Sequence, residues 1–309
     1  MMKLALLYAG QGSQTPGMGR DIYEQFPQIR PIFGHQPQGL DLMQLCFEAD
    51  AETLARTEHT QPAMGAFAAA VTALLREAGV TPDAAMGLSL GEYGALHAAG
   101  ALDAQTLLEL LAFRGRAMSD AASGIQSAMT AVFGLSEPQL RAALAPIAGD
   151  VWCCNFNCPG QIVIGGEASA VAAAAQAAQA AGARRCIPLK VGGPFHTPLM
   201  APAGEALKTK LAEVKLAPPR VPIILNVDGG PLPATRTLAE NLVLQIQSPV
   251  RFEAGLHTLL HMGIDTFIEI GPGKVLSGFV KKVAPEAATY AIEDAESLKA
   301  ALAAVRSAS

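Results

Sequence analysis

The residues best suited to covalent chemistry lie in the segment Gly87-Leu-Ser-Leu-Gly91, which has the pattern G-x-S-x-G. Where a strand turns sharply into a helix, the glycines of this pattern let the backbone hold the serine hydroxyl out at the head of the helix. The helix dipole and a backbone N–H can stabilise an oxyanion there. Residues Ala84–Leu88 predict a short strand and Leu90–Ala99 predict a helix. Ser89 is therefore predicted to be a nucleophile.

The alternative role for Ser89 is a helix N-cap. Ser89 and Glu92 have the Ser-x-x-Glu spacing of a capping box. A cap does not need a glycine on each side at two-residue spacing, so the sequence favours the nucleophile.

A nucleophilic serine needs a base, and His196 is the best candidate. It lies in a loop between Gly192 and Pro198, where an imidazole can face a cleft at the end of a sheet. Its activity as a base should be lost as the pH falls through about 6.5, the pKa of an unperturbed imidazole. His97 lies two turns into a predicted helix and fills a packing position. No Asp or Glu stands out as a third member of a triad. The other histidines, in polar or amphipathic contexts, are His35, His59, His257 and His261.

Cofactor motifs are incomplete. Gly10-Gln-Gly-Ser-Gln14 lacks the third glycine of a dinucleotide loop, and Gly271-Pro-Gly-Lys274 lacks the full phosphate-loop pattern. Cys153, Cys154 and Cys158 do not have zinc-ligand spacing, so we interpret them as core thiols. The sequence therefore predicts neither a metal nor a cofactor.

Strand-like segments alternate with Ala/Leu-rich helical segments, which predicts a parallel α/β fold. Between residues 124 and 190 the order becomes β-α-β-β-α-β, the order of a ferredoxin-like unit. We therefore predict a catalytic domain of residues 1–123 and 191–309 with an inserted subdomain of residues 124–190. Outside the insert, the further predicted elements are the strands Lys3–Ala9, Val221–Val227 and Asp265–Ile270 and the helices Gln61–Ala78 and Ala104–Ala121. Inside it, they are Ala128–Leu135, Glu137–Ala148, Val151–Asn157, Gln161–Gly165, Ala168–Ala181 and Arg184–Lys190.

Composition excludes several classes of protein. The chain has 309 residues, half of them apolar, and a formal net charge of −5. That length fills one large domain or two modest ones. Without a long basic run, nucleic acid is not the expected ligand. The longest nearly apolar run, Met64–Leu75, is far shorter than the roughly 20 residues of a membrane span. Five cysteines, an odd number, fit a reducing cytoplasm better than a disulfide scaffold.

Nine segments in chain order carry a resemblance to one family. They are Tyr8-Ala-Gly-Gln-Gly-Ser-Gln14 with Gly17-Met-Gly19; Thr60-Gln-Pro62; Gly87-Leu-Ser-Leu-Gly-Glu92; Arg114-Gly115 with Met118; Asn155-Phe-Asn-Cys-Pro-Gly-Gln161; Phe195-His196; Asn226-Val227; Gln245 before Ser248-Pro-Val250; and Gly271-Pro-Gly-Lys-Val-Leu276. The chain resembles the malonyl-CoA:acyl-carrier-protein transacylase family.

The resemblance implies an α/β-hydrolase-like core with an inserted ferredoxin-like subdomain. It implies a discrete cytoplasmic enzyme that moves the malonyl group of malonyl-CoA to the phosphopantetheine thiol of an acyl-carrier protein, for fatty-acid synthesis, without a cofactor. Ser89 would form a malonyl ester and His196 would act as its base. A backbone carbonyl in the Gln245 region would orient the imidazole. The backbone N–H groups of Gln11 and Leu90 would form the oxyanion hole.

The resemblance also implies a carboxylate site. Arg114 would bind the free malonyl carboxylate, a role that suits a planar, forked donor. By position alone Arg116 has an equal claim, and only the match to Arg-Gly-x-x-Met favours Arg114. Phe195 resembles the malonyl-selective members, where the ring leaves no room for a methyl branch. Leu88 stands where the family commonly has His, and Ala9 where it commonly has Pro. The change at Leu88 bears on the polarity of the acyl pocket.

Three alternatives stay open at this stage. A free-standing acyltransferase that serves a polyketide synthase or a malonate decarboxylase would have the same chemistry. A serine hydrolase or thioesterase would share the turn at Ser89, but Arg114 and the lack of an acidic third residue disfavour it. A carrier-protein-binding module with a decayed site is disfavoured because Gln11, Ser89, Arg114 and His196 are all present.

Overall fold

The chain folds around two β-sheets, seen in a computed structural model that describes residues 2–308. The strands are β1 (Leu4–Tyr8), β2 (Ala84–Gly87), β3 (Ser127–Phe133), β4 (Val151–Cys158), β5 (Gln161–Glu167), β6 (Arg185–Pro188), β7 (Ile223–Ile224), β8 (Thr266–Ile270) and β9 (Ala288–Ile292). The α-helices are α1 (Arg20–Gln25), α2 (Arg30–Phe33), α3 (Ala51–Ala55), α4 (Thr57–Glu77), α5 (Gly91–Ala98), α6 (Ala104–Ala122), α7 (Glu137–Leu144), α8 (Ala168–Ala180), α9 (Ala201–Leu211), α10 (Leu238–Gln247), α11 (Phe252–His261), α12 (Val275–Val283) and α13 (Ala295–Ala308).

The larger sheet is parallel, with strand order β7-β2-β1-β8-β9. Its central strand β1 is buried along its whole length. Successive side chains of a strand point to opposite faces. Accordingly, Leu4, Leu6 and Tyr8 join one core cluster, and Ala5 and Leu7 join a second cluster on the other face. Burial on both faces is typical of a parallel sheet covered by helices. Because β1 and β2 are parallel neighbours, their carboxyl ends lie together at one edge of the sheet.

The smaller sheet is antiparallel, with strand order β4-β5-β3-β6. The predicted element order β-α-β-β-α-β is present between Ser127 and Pro188, with bounds that differ by a few residues. Helix α8 packs one alanine-rich face into this sheet's own core cluster. A pair of backbone hydrogen bonds joins β4 to the segment that follows α10. Phe156 N–H donates to the Val250 carbonyl, and Val250 N–H donates to the Cys154 carbonyl, each at 2.8 Å.

The predicted α/β class is confirmed, and three element predictions need correction. The strand predicted at Val221–Val227 is reduced to β7, because Pro222 has no N–H to donate and the chain after Leu225 turns back on itself. Helix α4 begins before Pro62 rather than at it. Proline in the second turn removes only one intrahelical bond, so the helix tolerates it. Strand β9 was not predicted, because its partly exposed residues do not give a clear alternation.

Two further sequence predictions concern the membrane and the cysteines. No helix within residues 2–308 is both long and apolar enough to cross a membrane. All five cysteines are free thiols, and Cys153, Cys154 and Cys158 are buried, as predicted for core residues. The described residues contain no group of His, Cys, Asp or Glu arranged to hold a metal ion.

Candidate active site

Ser89 lies in a strained turn between β2 and α5. Its φ is 54°, a left-handed conformation that non-glycine residues rarely adopt. A methyl group at Gly87 would come within 2.0 Å of the Gly91 backbone, and one at Gly91 within 2.1 Å of the Tyr8 carbonyl oxygen. Both glycines are therefore required sterically. The G-x-S-x-G spacing exists because the helix begins so close to the two strands that no side chain fits there.

The capping alternative for Ser89 is excluded by the geometry. The N-cap of α5 is Leu90, and this helix has no side-chain cap. The Ser89 hydroxyl instead contacts His196 and Arg114. Glu92, the other half of the expected capping box, accepts a hydrogen bond from the backbone N–H of Asn226.

His196 is within hydrogen-bond distance of the Ser89 hydroxyl. Its Nε2 lies 2.7 Å from Ser89 Oγ, and its Nδ1–H donates to the Gln245 carbonyl at 2.9 Å. The carbonyl fixes the tautomer, so that Nε2 accepts the hydroxyl proton. A backbone carbonyl thus takes the orienting position that a carboxylate holds in a Ser-His-Asp triad.

The environment of His196 keeps its ring neutral. Burial, together with the positive charge of Arg114, lowers the pKa of His196 to about 4. The value of about 6.5 expected for an unperturbed ring is therefore too high for this site. Because the ring is unprotonated at pH 7, it is available as a base.

Arg114 lies fully buried beside Ser89 and is held by neutral groups. Its Nη1 donates to Gln61 Oε1 at 2.8 Å. Its Nη2 donates to Gln245 Oε1 at 3.0 Å and to Ser89 Oγ at 3.2 Å. The guanidinium carbon lies 5.4 Å from the centre of the Tyr93 ring.

The charge of Arg114 has no direct acidic partner. Among the described residues, no carboxylate lies within 4.0 Å of its guanidinium. Burial lowers the pKa of Arg114, whereas the ionised forms of Tyr93 and Glu92 raise it. An arginine stays protonated in proteins, so a full positive charge faces the nucleophile. Arg116, which had an equal claim from position alone, is exposed.

The two predicted oxyanion donors have free N–H groups. In the part of the chain that the structure describes, neither the Gln11 N–H nor the Leu90 N–H donates to a protein acceptor. Gln11 follows β1 and Leu90 follows Ser89 at the start of α5, so both lie at the carboxyl edge of the parallel sheet.

Two cavities meet at His196. One, of about 140 Å³, lies between the two sheets and exposes the nucleophile. It is lined by Gln11, Leu88, Ser89, Met118, Met129, Asn155, Asn157, Val163, Leu189, Val191, Phe195 and His196. The other, of about 350 Å³, reaches His196 along α7 and β4. Phe195 is buried in the wall of the first cavity, and Leu88 adds an apolar side chain to that wall.

Comparison with known proteins gives a consistent result. The acyl transferase domain family matches residues 6–300. The malonyl CoA-acyl carrier protein transacylase of Bacillus subtilis is 43% identical over 307 residues, 98% of this chain and 97% of that protein. The chain belongs to the malonyl CoA-acyl carrier protein transacylase family.

Two solved structures show that the similarity to transacylases extends to the three-dimensional fold. The crystal structure of the transacylase from Clostridium perfringens has a TM-score of 0.93 and 36% identity, covering 99% of this chain and 98% of that one. A type II PKS acyl-carrier protein in complex with its malonyl-transacylase gives a TM-score of 0.93 and 35% identity, covering 98% and 99%. Both sheets are therefore part of the transacylase fold.

The sequence alone does not assign a catalytic or binding role to three buried polar residues of the site. All three, Gln61, Glu92 and Asn226, stand in segments that match the family, and the Ser-x-x-Glu spacing suggests only a cap for Glu92. All three are at most 2% exposed and hydrogen-bonded into the site. The available signal was a polar residue at the end of an apolar segment, as with Asn226 after Val221–Leu225. Burial raises the pKa of Glu92 to about 7.

The lowered pKa of His196 predicts an unusually acidic limit for acylation. The ring accepts the serine proton only when neutral, so the part of kcat/KM for acylation that depends on His196 should stay level down to about pH 5. It should then fall as the pH passes through about 4. The His196→Ala variant should be about 10²–10⁴-fold slower and lose this dependence. Samples returned to pH 7 after each exposure control for acid unfolding. A midpoint near 6.5 that disappears in His196→Ala would contradict the assignment.

Proposed function

We propose that this chain transfers the malonyl group from malonyl-CoA to the phosphopantetheine thiol of an acyl-carrier protein. One observation carries the proposal. The hydroxyl of Ser89 contacts both a neutral imidazole, at 2.7 Å, and a buried guanidinium, at 3.2 Å. The first contact activates a nucleophile, and the second places a positive charge where a short acyl group with a carboxylate would end.

Acylation uses the base and the two free amides. His196 removes the Ser89 proton as Oγ attacks the thioester carbonyl, and the oxyanion accepts hydrogen bonds from the Gln11 and Leu90 N–H groups. When the tetrahedral intermediate collapses, the C–S bond breaks and the CoA sulfur takes the proton from His196. The product is a malonyl ester of Ser89.

Deacylation reverses these steps with a different thiol. His196 takes the proton of the carrier protein's thiol, whose sulfur attacks the ester carbonyl. The Ser89 oxygen then leaves with the proton. The groups required are all side chains and amides of this chain, so we propose that no metal or cofactor takes part. The names of the relatives give malonyl-CoA as the donor and an acyl-carrier protein as the acceptor, and one solved relative is bound to an acyl-carrier protein.

Selectivity for malonyl follows from Arg114. Its partners Gln61 and Gln245 are neutral amides that orient the guanidinium without neutralising it. A carboxylate can accept two parallel hydrogen bonds from this planar fork. An acetyl group would leave the charge buried and unpaired, which is unfavourable. Phe195, buried in the cavity wall, should exclude a methyl branch on the acyl group.

We also propose the finer description of the fold. Residues 1–123 and 191–309 would form an α/β-hydrolase-like catalytic domain, and residues 124–190 a ferredoxin-like subdomain. The element order β-α-β-β-α-β and the strand order β4-β5-β3-β6 support the second assignment. The five free thiols support a reducing compartment, the cytoplasm. We place the reaction in fatty-acid synthesis, where malonyl thioesters on carrier proteins extend the growing acyl chain.

Malonylation of Ser89 tests the proposed function. Incubation with malonyl-CoA should add one malonyl group to the intact protein, on the peptide that contains Ser89, as read by mass spectrometry. Ser89→Ala should abolish the label, and Ser123→Ala, a change at an exposed serine, should keep it. A carrier protein should remove the label much faster than water does. If water removes it as fast, the protein is a hydrolase.

Removal of Arg114 tests selectivity. A charge-assisted hydrogen bond contributes about 1.5–3 kcal/mol, so Arg114→Ala should lower the malonyl-to-acetyl ratio of kcat/KM by roughly 10–150-fold. Arg114→Lys should restore part of the ratio, because a point charge cannot bind both oxygens in one plane. Arg116→Ala is the matched control and should leave the ratio unchanged. If the ratio survives the loss of Arg114, this residue does not bind the carboxylate.

A further inference from the structure

Asn226 bridges the strained turn at Ser89 from both sides. It follows β7 and is 2% exposed. Its Oδ1 accepts a hydrogen bond from the Ser89 N–H, and its Nδ2 donates to the Gly87 carbonyl, each at 2.7 Å. One side-chain amide thus satisfies the backbone groups before and at the residue with positive φ.

Glu92 holds Asn226 and reaches a second helix. Its Oε2 accepts from the backbone N–H of Asn226 at 2.6 Å, and its Oε1 accepts from Asn241 Nδ2 at 3.4 Å. Asn241 Oδ1 in turn accepts from Arg236 Nη1 at 2.8 Å. Asn241 lies one helical turn before Gln245 on α10. Glu92, on α5, is therefore a buried link between the helix that follows the nucleophile and the helix that carries Gln245.

We propose that Asn226 and Glu92 are positioning residues for the reaction. Asn226 holds the backbone at Ser89, and Glu92 fixes Asn226 and ties α5 to α10. Through α10 the same link sets the Gln245 carbonyl that orients His196. The proposal rests on the proposed function, because it requires Ser89 to be the nucleophile.

The physical reason is that this turn carries two reacting groups. The Ser89 hydroxyl and the Leu90 N–H are separated by a single peptide unit. Rotation about the Ser89 N–Cα bond toward a negative φ would misdirect both of them, because the N–H that Asn226 holds lies just before that bond. Left-handed backbone at a non-glycine residue persists only where its surroundings enforce it. A displacement of about 1 Å in a catalytic group can lower a rate by about 10²-fold.

The first test is Asn226→Ala, assayed as the single-turnover rate of acyl-Ser89 formation from malonyl-CoA and from acetyl-CoA. We expect both rates to fall by roughly 10–100-fold while their ratio stays within about twofold of the unmodified protein's. A residue of the carboxylate site would change the ratio instead. Labelling of Ser89 in the unmodified protein is measured in parallel. If that label is absent, the proposed function fails. If it is present and folded Asn226→Ala keeps at least half the native rate, only this inference fails.

A rescue pair tests Glu92 and remains informative if Asn226→Ala does not fold. Glu92→Gln keeps an acceptor for the Asn226 N–H but places an NH₂ donor against Asn241 Nδ2. Adding Asn241→Asp supplies a carboxylate oxygen that accepts from that NH₂ group. The other carboxylate oxygen still accepts from Arg236, and the Asp restores a negative charge to the buried network. We expect the single variant to acylate roughly tenfold more slowly and the double variant to recover at least half of the loss in log rate. A double variant no faster than the single one overturns the role of Glu92.

The control separates positioning from stability. Glu269 is another fully buried carboxylate, and it accepts from the backbone N–H groups of Leu276 and Ser277 at the start of α12. Glu269→Gln should lower the melting temperature without slowing acylation more than about twofold. If it slows acylation as much as Glu92→Gln does, the effect of Glu92 is general destabilisation and the inference is wrong.

Discussion

The active site depends on a steric constraint. Helix α5 begins against the ends of β1 and β2, and only a hydrogen atom fits as the side chain at Gly87 and Gly91. This approach forces the chain through a positive φ at Ser89. As a consequence the hydroxyl points away from the sheet, and the start of the helix faces the space where an acyl group would bind. The base, the guanidinium and the oxyanion donors can act together only because this turn places the Ser89 hydroxyl among them.

The second constraint is a charge without a direct acidic partner. A guanidinium buried among amides is costly, and the structure limits that cost by hydrogen bonds that Arg114 donates to Gln61 and Gln245 rather than by an ion pair. A carboxylate partner would stabilise Arg114 but occupy the fork. The same charge helps to lower the pKa of His196. One residue therefore prepares the site for an anionic acyl group and keeps the base neutral.

Sequence reasoning was most successful where chemistry depends on neighbours along the chain. The turn at Ser89 and the loop at His196 could be predicted because the glycines and prolines around them give a recognisable local pattern. Arg114 could not be separated from Arg116 without the family resemblance, because only packing shows which one is buried. The network through Asn226 joins segments more than 130 residues apart, so no local pattern predicts it. Edge strand β9 was missed because its partly exposed residues weaken its pattern. The strand predicted at Val221–Val227 shortens to β7 because Pro222 has no N–H and the chain turns back after Leu225.

The most direct measurement is a crystal structure of the protein after reaction with malonyl-CoA, with the acyl group trapped. We predict an ester on Ser89 Oγ, with its carbonyl oxygen facing the Gln11 and Leu90 N–H groups and both carboxylate oxygens bound to the Arg114 guanidinium. An ester on any other residue would contradict it. So would a malonyl carboxylate that points to solvent while Arg114 keeps only the amide partners that it has now.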